Sequence, residues 1–143
     1  MVNHNQKIGR WGEEIASVYL QKKGYKFIDA NVRTPHGEID IILQYHEVII
    51  FVEVKTRTSS FYGPPEMAIT RQKQLNMFNS AEHYAEEHEI IHWQIDAVSV
   101  EGKPNSEEPR ITHFEDIIWV ASSMLEGLKL KVDKLKLPLI AII

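Results

Sequence analysis

The segment Val48 to Lys55, VIIFVEVK, constrains this chain more than any other stretch. It is rich in β-branched residues and almost wholly apolar, as a central strand covered on both faces must be. Such a strand needs a neighbour on each side and a layer of helix above and below it. It ends in Glu53-Val54-Lys55, so two charged side chains leave an otherwise buried element. Side chains two apart on a strand share a face. Glu53 and Lys55 are therefore expected to point the same way, with Val52 and Val54 turned into the opposite layer.

The flanking segments supply the rest of such a fold. Ile8, Trp11, Ile15, Val18 and Tyr19 recur at three- and four-residue steps, which predicts a helix from Ile8 to Lys23 with Gly24 as its stop. Tyr25 to Val32 reads as a strand, Pro35-His36-Gly37 as a turn, and Glu38 to Leu43 as a second strand. Gln44-Tyr45-His46-Glu47 is a four-residue hairpin connection into VIIFVEVK. A polar loop runs from Thr56 to Gly63, and Pro64-Pro65 opens a long helix to about His88. Trp93 to Val100 is a fourth strand, Lys103 to Pro109 a loop, and Arg110 to Phe114 a short fifth strand. The order is helix, three-strand meander, helix, strand, strand. It predicts an α/β fold with a central mixed β-sheet flanked by helices.

A chain of 143 residues has room for one domain, expected over residues 1–120, followed by an apolar extension over 121–143. In that extension Leu128 to Val132 alternates with lysine, and Leu135 to Ile143 is apolar except for Lys136. It reads first as a segment packing on the domain or on a second copy in a homodimer. The alternative is a membrane-surface or partner-binding tail; it is shorter than the roughly 20 apolar residues a bilayer span requires.

Composition narrows the chemistry. The chain has no cysteine, which excludes disulfide scaffolds, thiolate metal sites and cysteine nucleophiles together. Any metal must be held by oxygen or imidazole, and the seven histidines show no ligand spacing on one element, which argues against zinc. Neither a glycine-rich phosphate loop nor a Ser-His-Asp arrangement is visible. The N-terminus lacks a long apolar core and turns acidic at once, unlike a secretory signal, so the expected location is cytoplasmic. The formal net charge of −4 argues mildly against tight, nonspecific DNA binding, although carboxylates gathered around a metal would account for part of it.

On the strand before VIIFVEVK, Glu38 and Asp40 are expected to share a face. The hairpin makes the two strands neighbours, so Asp40 and Glu53 can converge near one end of the sheet. Two carboxylates and an ammonium leaving an apolar core need a reason, because unpaired buried charge is costly. One reason is an ion pair from Lys55 to Glu53 or Asp40 with no chemistry attached; the other is a metal site. The residues by themselves leave both open.

Asp40 followed by Glu53-Val54-Lys55 resembles the signature of the PD-(D/E)XK nuclease superfamily, which includes restriction endonucleases and archaeal Holliday-junction resolvases. The blocks Gly9-Arg10-Trp11-Gly12-Glu13-Glu14-Ile15-Ala16, Gly24-Tyr25, Asn31, Gly37-Glu38-Ile39-Asp40 and Phe51-Val52-Glu53-Val54-Lys55 together resemble the YraN-like uncharacterised protein family. The likeness covers roughly residues 8 to 100. It departs from the superfamily signature in having Ile39, not proline, before Asp40.

The resemblance implies a restriction-endonuclease-like fold and a metal-dependent nuclease. By position, Asp40 and Glu53 would ligate Mg²⁺ or Mn²⁺, with the Val54 carbonyl as a further ligand. Lys55 would orient the attacking water and stabilise charge in the transition state. Glu13 would complete the metal site or bind a second ion, with the adjacent Glu14 as the other candidate and a solvated helix flank as the plain alternative for both. Glu38 would support the ligands or simply pair with an arginine. Lys73 and Gln72 would face the site from the second helix. Arg33, Arg57, Arg71 and Lys73 are candidate phosphate contacts, although the arginines read first as ordinary surface charges. Phe61 and Tyr62 offer a stacking element for unpaired bases. Asp96 fits a structural role better than a catalytic one. The implied partner is DNA, structured or branched by likeness to the resolvases. Two other readings remain open: a non-catalytic nucleic-acid-binding module, and an assembly protein working through its apolar tail.

Overall fold

The computed structural model describes residues 3–58, 70–105 and 108–117. Two helices and five strands follow one another as α1 (His4–Lys22), β1 (Lys26–Thr34), β2 (Gly37–Tyr45), β3 (Val48–Arg57), α2 (Arg71–Glu87), β4 (Trp93–Glu101) and β5 (Arg110–Phe114). The strands form one sheet in the order β1-β2-β3-β4-β5. The first three pair antiparallel, β3 and β4 pair parallel across the α2 connection, and β5 returns antiparallel to β4. This is the mixed α/β sheet expected, with the element order of a restriction-endonuclease-like fold.

VIIFVEVK lies at its centre for the reason its composition gives. Ile50 and Val52 pack with Ala16 and Leu20 of α1 in one core, and Phe51 packs with Phe78, Ala81 and Tyr84 of α2 in the other. Both faces are covered, so the strand carries apolar residues on each.

The element ends differ from the sequence reading where caps and rings act. α1 begins at His4, not Ile8, because Asn3 and Gln6 bond each other's backbone in a capping box. α2 begins at Arg71, later than Pro64-Pro65 suggested. Thr70 is extended there, and its hydroxyl accepts the Lys73 N–H at 3.1 Å. The β2–β3 connection is two residues, not four, since Tyr45 still pairs with Val48. Tyr45 stacks on Tyr25 with ring centroids 4.4 Å apart, which keeps it in the strand, and His46 turns the corner with a left-handed φ of 54°.

The extension expected over residues 121–143, with its packing, homodimer and membrane-surface readings, lies outside the described residues, as do Phe61 and Tyr62. Among the described residues no helix is long and apolar enough to cross a membrane.

Candidate metal centre

Asp40 sits where the regular pairing of β2 gives way. Its ladder with β3 runs from Tyr45↔Val48 to Ile41↔Val52, so Asp40 and Glu53 are the first residues beyond its end. On the other side, Asn31 of β1 lies across from Asp40, between the Ala30↔Ile41 and Val32↔Ile39 partners. Asn31 has a left-handed φ of 51°, a conformation asparagine tolerates better than most residues. The alternation of faces also slips here: Ile39 packs in the α2 core and Ile41 in the α1 core. The rule that was to put Glu38 and Asp40 on one face therefore does not carry across this point. With the ladder open, the Val54 N–H donates to Asp40 Oδ2 at 2.8 Å, which fixes the Asp40 carboxylate against the β3 backbone.

Three more carboxylates gather around it. Glu13 comes from α1, whose approach depends on the residue before it. A Cβ at Gly12 would collide with the Thr56 side chain of β3, so glycine lets the helix sit directly on the strand and brings Glu13 to the sheet end. Asn31 Nδ2 then donates to Glu13 Oε2 at 3.0 Å and to Glu38 Oε1 at 3.2 Å, tying the two carboxylates together. Glu53 is met from the α2 side by Lys73, with Nζ 3.0 Å from Oε1.

The cluster holds more negative charge than its neighbours neutralise. Burial pushes the Asp40 carboxyl up to about 8, and the charges of Glu53 and Glu13 push the same way. The Val54 N–H and Lys73 pull it down but do not win. Burial opposes the charge on Lys73, yet Glu53, followed by Asp40 and Glu38, outweighs it and raises the lysine pKa. Asp40, held protonated by burial and by the charge of its neighbours, marks a sheet end with a deficit of positive charge.

Lys55 is exposed. It lines an open cleft of about 590 Å³ together with Glu13, Val54, Thr56 and Arg57 and the first turns of α1. Lys55 and Glu53 thus serve different neighbours, and among the described residues the cation bound to Glu53 is Lys73. The simple Lys55 ion pair is not what the structure contains. Glu14, next to Glu13, is exposed and is not the residue Asn31 holds. Arg57 is only 9% exposed and lines the cleft, so it is not an ordinary surface charge. Arg33 is exposed, at 3.9 Å from Glu38, and Arg71 is exposed at the start of α2. Gln72 bonds Asn76 on its own helix at 3.0 Å rather than turning to the carboxylates.

A second polar group was not visible in the sequence. Asp96, His113 and Glu115 each offer a ligand atom within 4.8 Å of the others, a group that could hold a metal ion. As it stands the group is closed by hydrogen bonds. Fully buried Asp96 accepts from Gln94 Nε2 and the Asp116 N–H, both at 2.9 Å, and meets His113 Nε2 at 2.7 Å. Lys23 Nζ, which can only donate, lies 3.2 Å from His113 Nδ1. Nδ1 therefore accepts, and the Nε2–H is left for Asp96. This ties β4 to β5 through Asp96. The histidine gave no signal because its partner lies on a different strand.

Comparison with known proteins agrees with the resemblance drawn from the sequence blocks. The model of uncharacterised protein family UPF0102 matches residues 12–100, the span that contains Glu13, Asp40, Glu53, Lys55 and Lys73. A UPF0102 protein from Syntrophotalea carbinolica is 37% identical over 116 residues, covering 80% of this chain and 93% of that protein. One from Dehalococcoides mccartyi is 38% identical over 113 residues, covering 78% and 92%. Another, from Syntrophomonas wolfei, is 47% identical over 77 residues, covering 54% and 67%. The chain belongs to the uncharacterised protein family UPF0102.

Proposed function

We propose that this protein is a metal-dependent nuclease that hydrolyses phosphodiester bonds in DNA, with branched or junction structures as the preferred substrate. The observation that carries the reading is the environment of Asp40, a carboxyl held near Glu53 and Glu13 and pushed up to about 8 by burial and their charge. Asp40, Glu53 and Glu13 supply hard oxygen donors, the Val54 carbonyl lies on the same strand end, and the donor set suits Mg²⁺ or Mn²⁺. When bound, such an ion polarises the scissile phosphate and lowers the pKa of water at the site.

The chain's own residues do the rest. Asn31 fixes Glu13 and Glu38 at the lengths of two hydrogen bonds, so these carboxylates need not be ordered when the ion enters. Lys55 presents its ammonium on the cleft beside Val54. There it can orient the attacking water and counter the negative charge that grows on the phosphate oxygens in the transition state. Arg57 in the same cleft and exposed Arg71 offer positive charge to the flanking phosphates. A homodimer, with residues 121–143 as its contact, would bring two such centres to the two strands of a junction. Cytoplasmic location follows from the same reading, since DNA is the substrate.

The test is incubation of DNA with purified protein and Mg²⁺ or Mn²⁺, comparing wild type with Asp40→Asn. Metal-dependent cleavage by wild type that falls at least a hundredfold in the variant supports the reading. Equal cleavage by the two proteins sinks it.

A further inference from the structure

Glu53 already carries a cation. Lys73 is the third residue of α2 after the cap Thr70, and Thr70 accepts its backbone N–H at 3.1 Å. That position favours Glu or Gln, which can close a capping box, and it lies at the positive end of the helix dipole, where a lysine is disfavoured. The first turn of α2 has no acidic residue. Among the described residues, nothing local to the helix favours a lysine there. What compensates is outside the helix: Glu53 Oε1 at 3.0 Å, with Asp40 and Glu38 beyond it.

The two partners are not equally free. The Glu53 side chain is 12% exposed and the Lys73 side chain 47%. Glu53 is fixed on a central strand, whereas Lys73 reaches in from the solvent side on a flexible four-carbon stem. Its ammonium can swing back into water without disturbing the sheet. The carboxylate cannot follow it.

We propose that Lys73 is a tethered, exchangeable counter-cation: it neutralises Glu53 while the centre holds no metal, and a divalent ion must displace it to bind. The inference rests on the metal reading of the carboxylate cluster. Lys73 sets the concentration of divalent ion at which the centre fills, because every binding event has to break the Lys73–Glu53 pair and then tolerate the ammonium nearby. It also limits repulsion among Glu53, Asp40 and Glu38 when divalent ion is scarce.

The experiment is calorimetric titration of the full chain with Mn²⁺ alone, for wild type, Lys73→Met, Lys73→Gln, Lys73→Arg and Asp40→Asn, with folding checked by circular dichroism. Removal of the charge in Lys73→Met and Lys73→Gln should tighten Mn²⁺ binding roughly tenfold. Lys73→Arg should stay within about threefold of wild type, since the charge remains. Asp40→Asn should lose the tight site, showing that the ion titrated sits here and not at Asp96, His113 and Glu115. Binding by the neutral Lys73 variants alone, with none by wild type, would support the inference most strongly. Equal Asp40-dependent affinity in wild type and both neutral variants overturns the role of Lys73 and leaves the metal centre standing. Absence of Asp40-dependent binding in every protein overturns both.

Discussion

Replacing Asp40 with asparagine removes one titrating proton and keeps an oxygen for the Val54 N–H, so it isolates the electrostatics of the centre. In the folded, metal-free protein the Asp40 carboxyl is pushed up to about 8 from an ordinary value of 3.8, by burial first and then by Glu53 and Glu13. Between those two values the folded state holds a proton that the unfolded state has lost. Stability tied to this group is therefore fully present below about pH 4 and drains away as pH rises through about 8. One such proton changes the unfolding free energy by about 1.4 kcal/mol per pH unit at most. Sharing of the charge with Lys73 and the neighbouring carboxylates lowers this, so from pH 5 to pH 7 we expect wild type to lose about 2 kcal/mol relative to Asp40→Asn. For a chain of this length that is a shift of roughly 6 °C in midpoint. Urea unfolding of both proteins in chelator, at several pH values, gives the difference directly, and subtraction removes the other titrating groups common to both. A difference that stays flat from pH 5 to pH 8 would refute the crowding of carboxylates at the sheet end.

Three further outcomes follow from the same geometry. Mn²⁺ binding at pH 7 should release close to one proton per ion, because ligation needs the ionised Asp40 carboxylate; titration in buffers of different ionisation enthalpy measures it, and no release contradicts the raised Asp40 pKa. Gly12→Ala should destabilise the protein by about 2 kcal/mol or more in urea unfolding, because the new methyl collides with Thr56, and should weaken Mn²⁺ binding by shifting Glu13. His113→Ala should cost about 2–3 kcal/mol of stability, since it removes one of the hydrogen bonds to fully buried Asp96, while Mn²⁺ affinity at the Asp40 centre stays within twofold. A large loss of that affinity would show that the two polar groups are not independent.

What the sequence made legible was set by local physics. VIIFVEVK announced a central strand because its residues are apolar on both faces, and the structure buries it between α1 and α2. Asp40 and Glu53 could be brought together from the hairpin alone, since neighbouring antiparallel strands meet at their ends. The site residues not singled out depend on events that no single segment encodes. Asn31 enters the centre through a left-handed backbone opposite Asp40, and the amide then reaches carboxylates on α1 and β2. The slip of faces between Ile39 and Ile41 has the same origin, a break in pairing that involves three strands. Lys73 was placed near the site by resemblance, but its bond to Glu53 depends on how α2 settles on the sheet. The His113–Asp96 pair required knowing that β5 returns beside β4. Spacing along one element cannot reveal contacts between elements.

The most direct measurement is cleavage of single-stranded, duplex, flapped and four-way DNA with Mg²⁺ or Mn²⁺, by wild type and by Lys55→Ala. Lys55 lines the cleft and is not the cation paired with Glu53, so its removal should leave Asp40-dependent Mn²⁺ binding within about threefold of wild type. A metal-dependent nuclease predicts cutting by wild type, fastest on the branched substrates, and at least a hundredfold loss in Lys55→Ala. Equal cutting by both proteins, or none by either with any substrate, would contradict it.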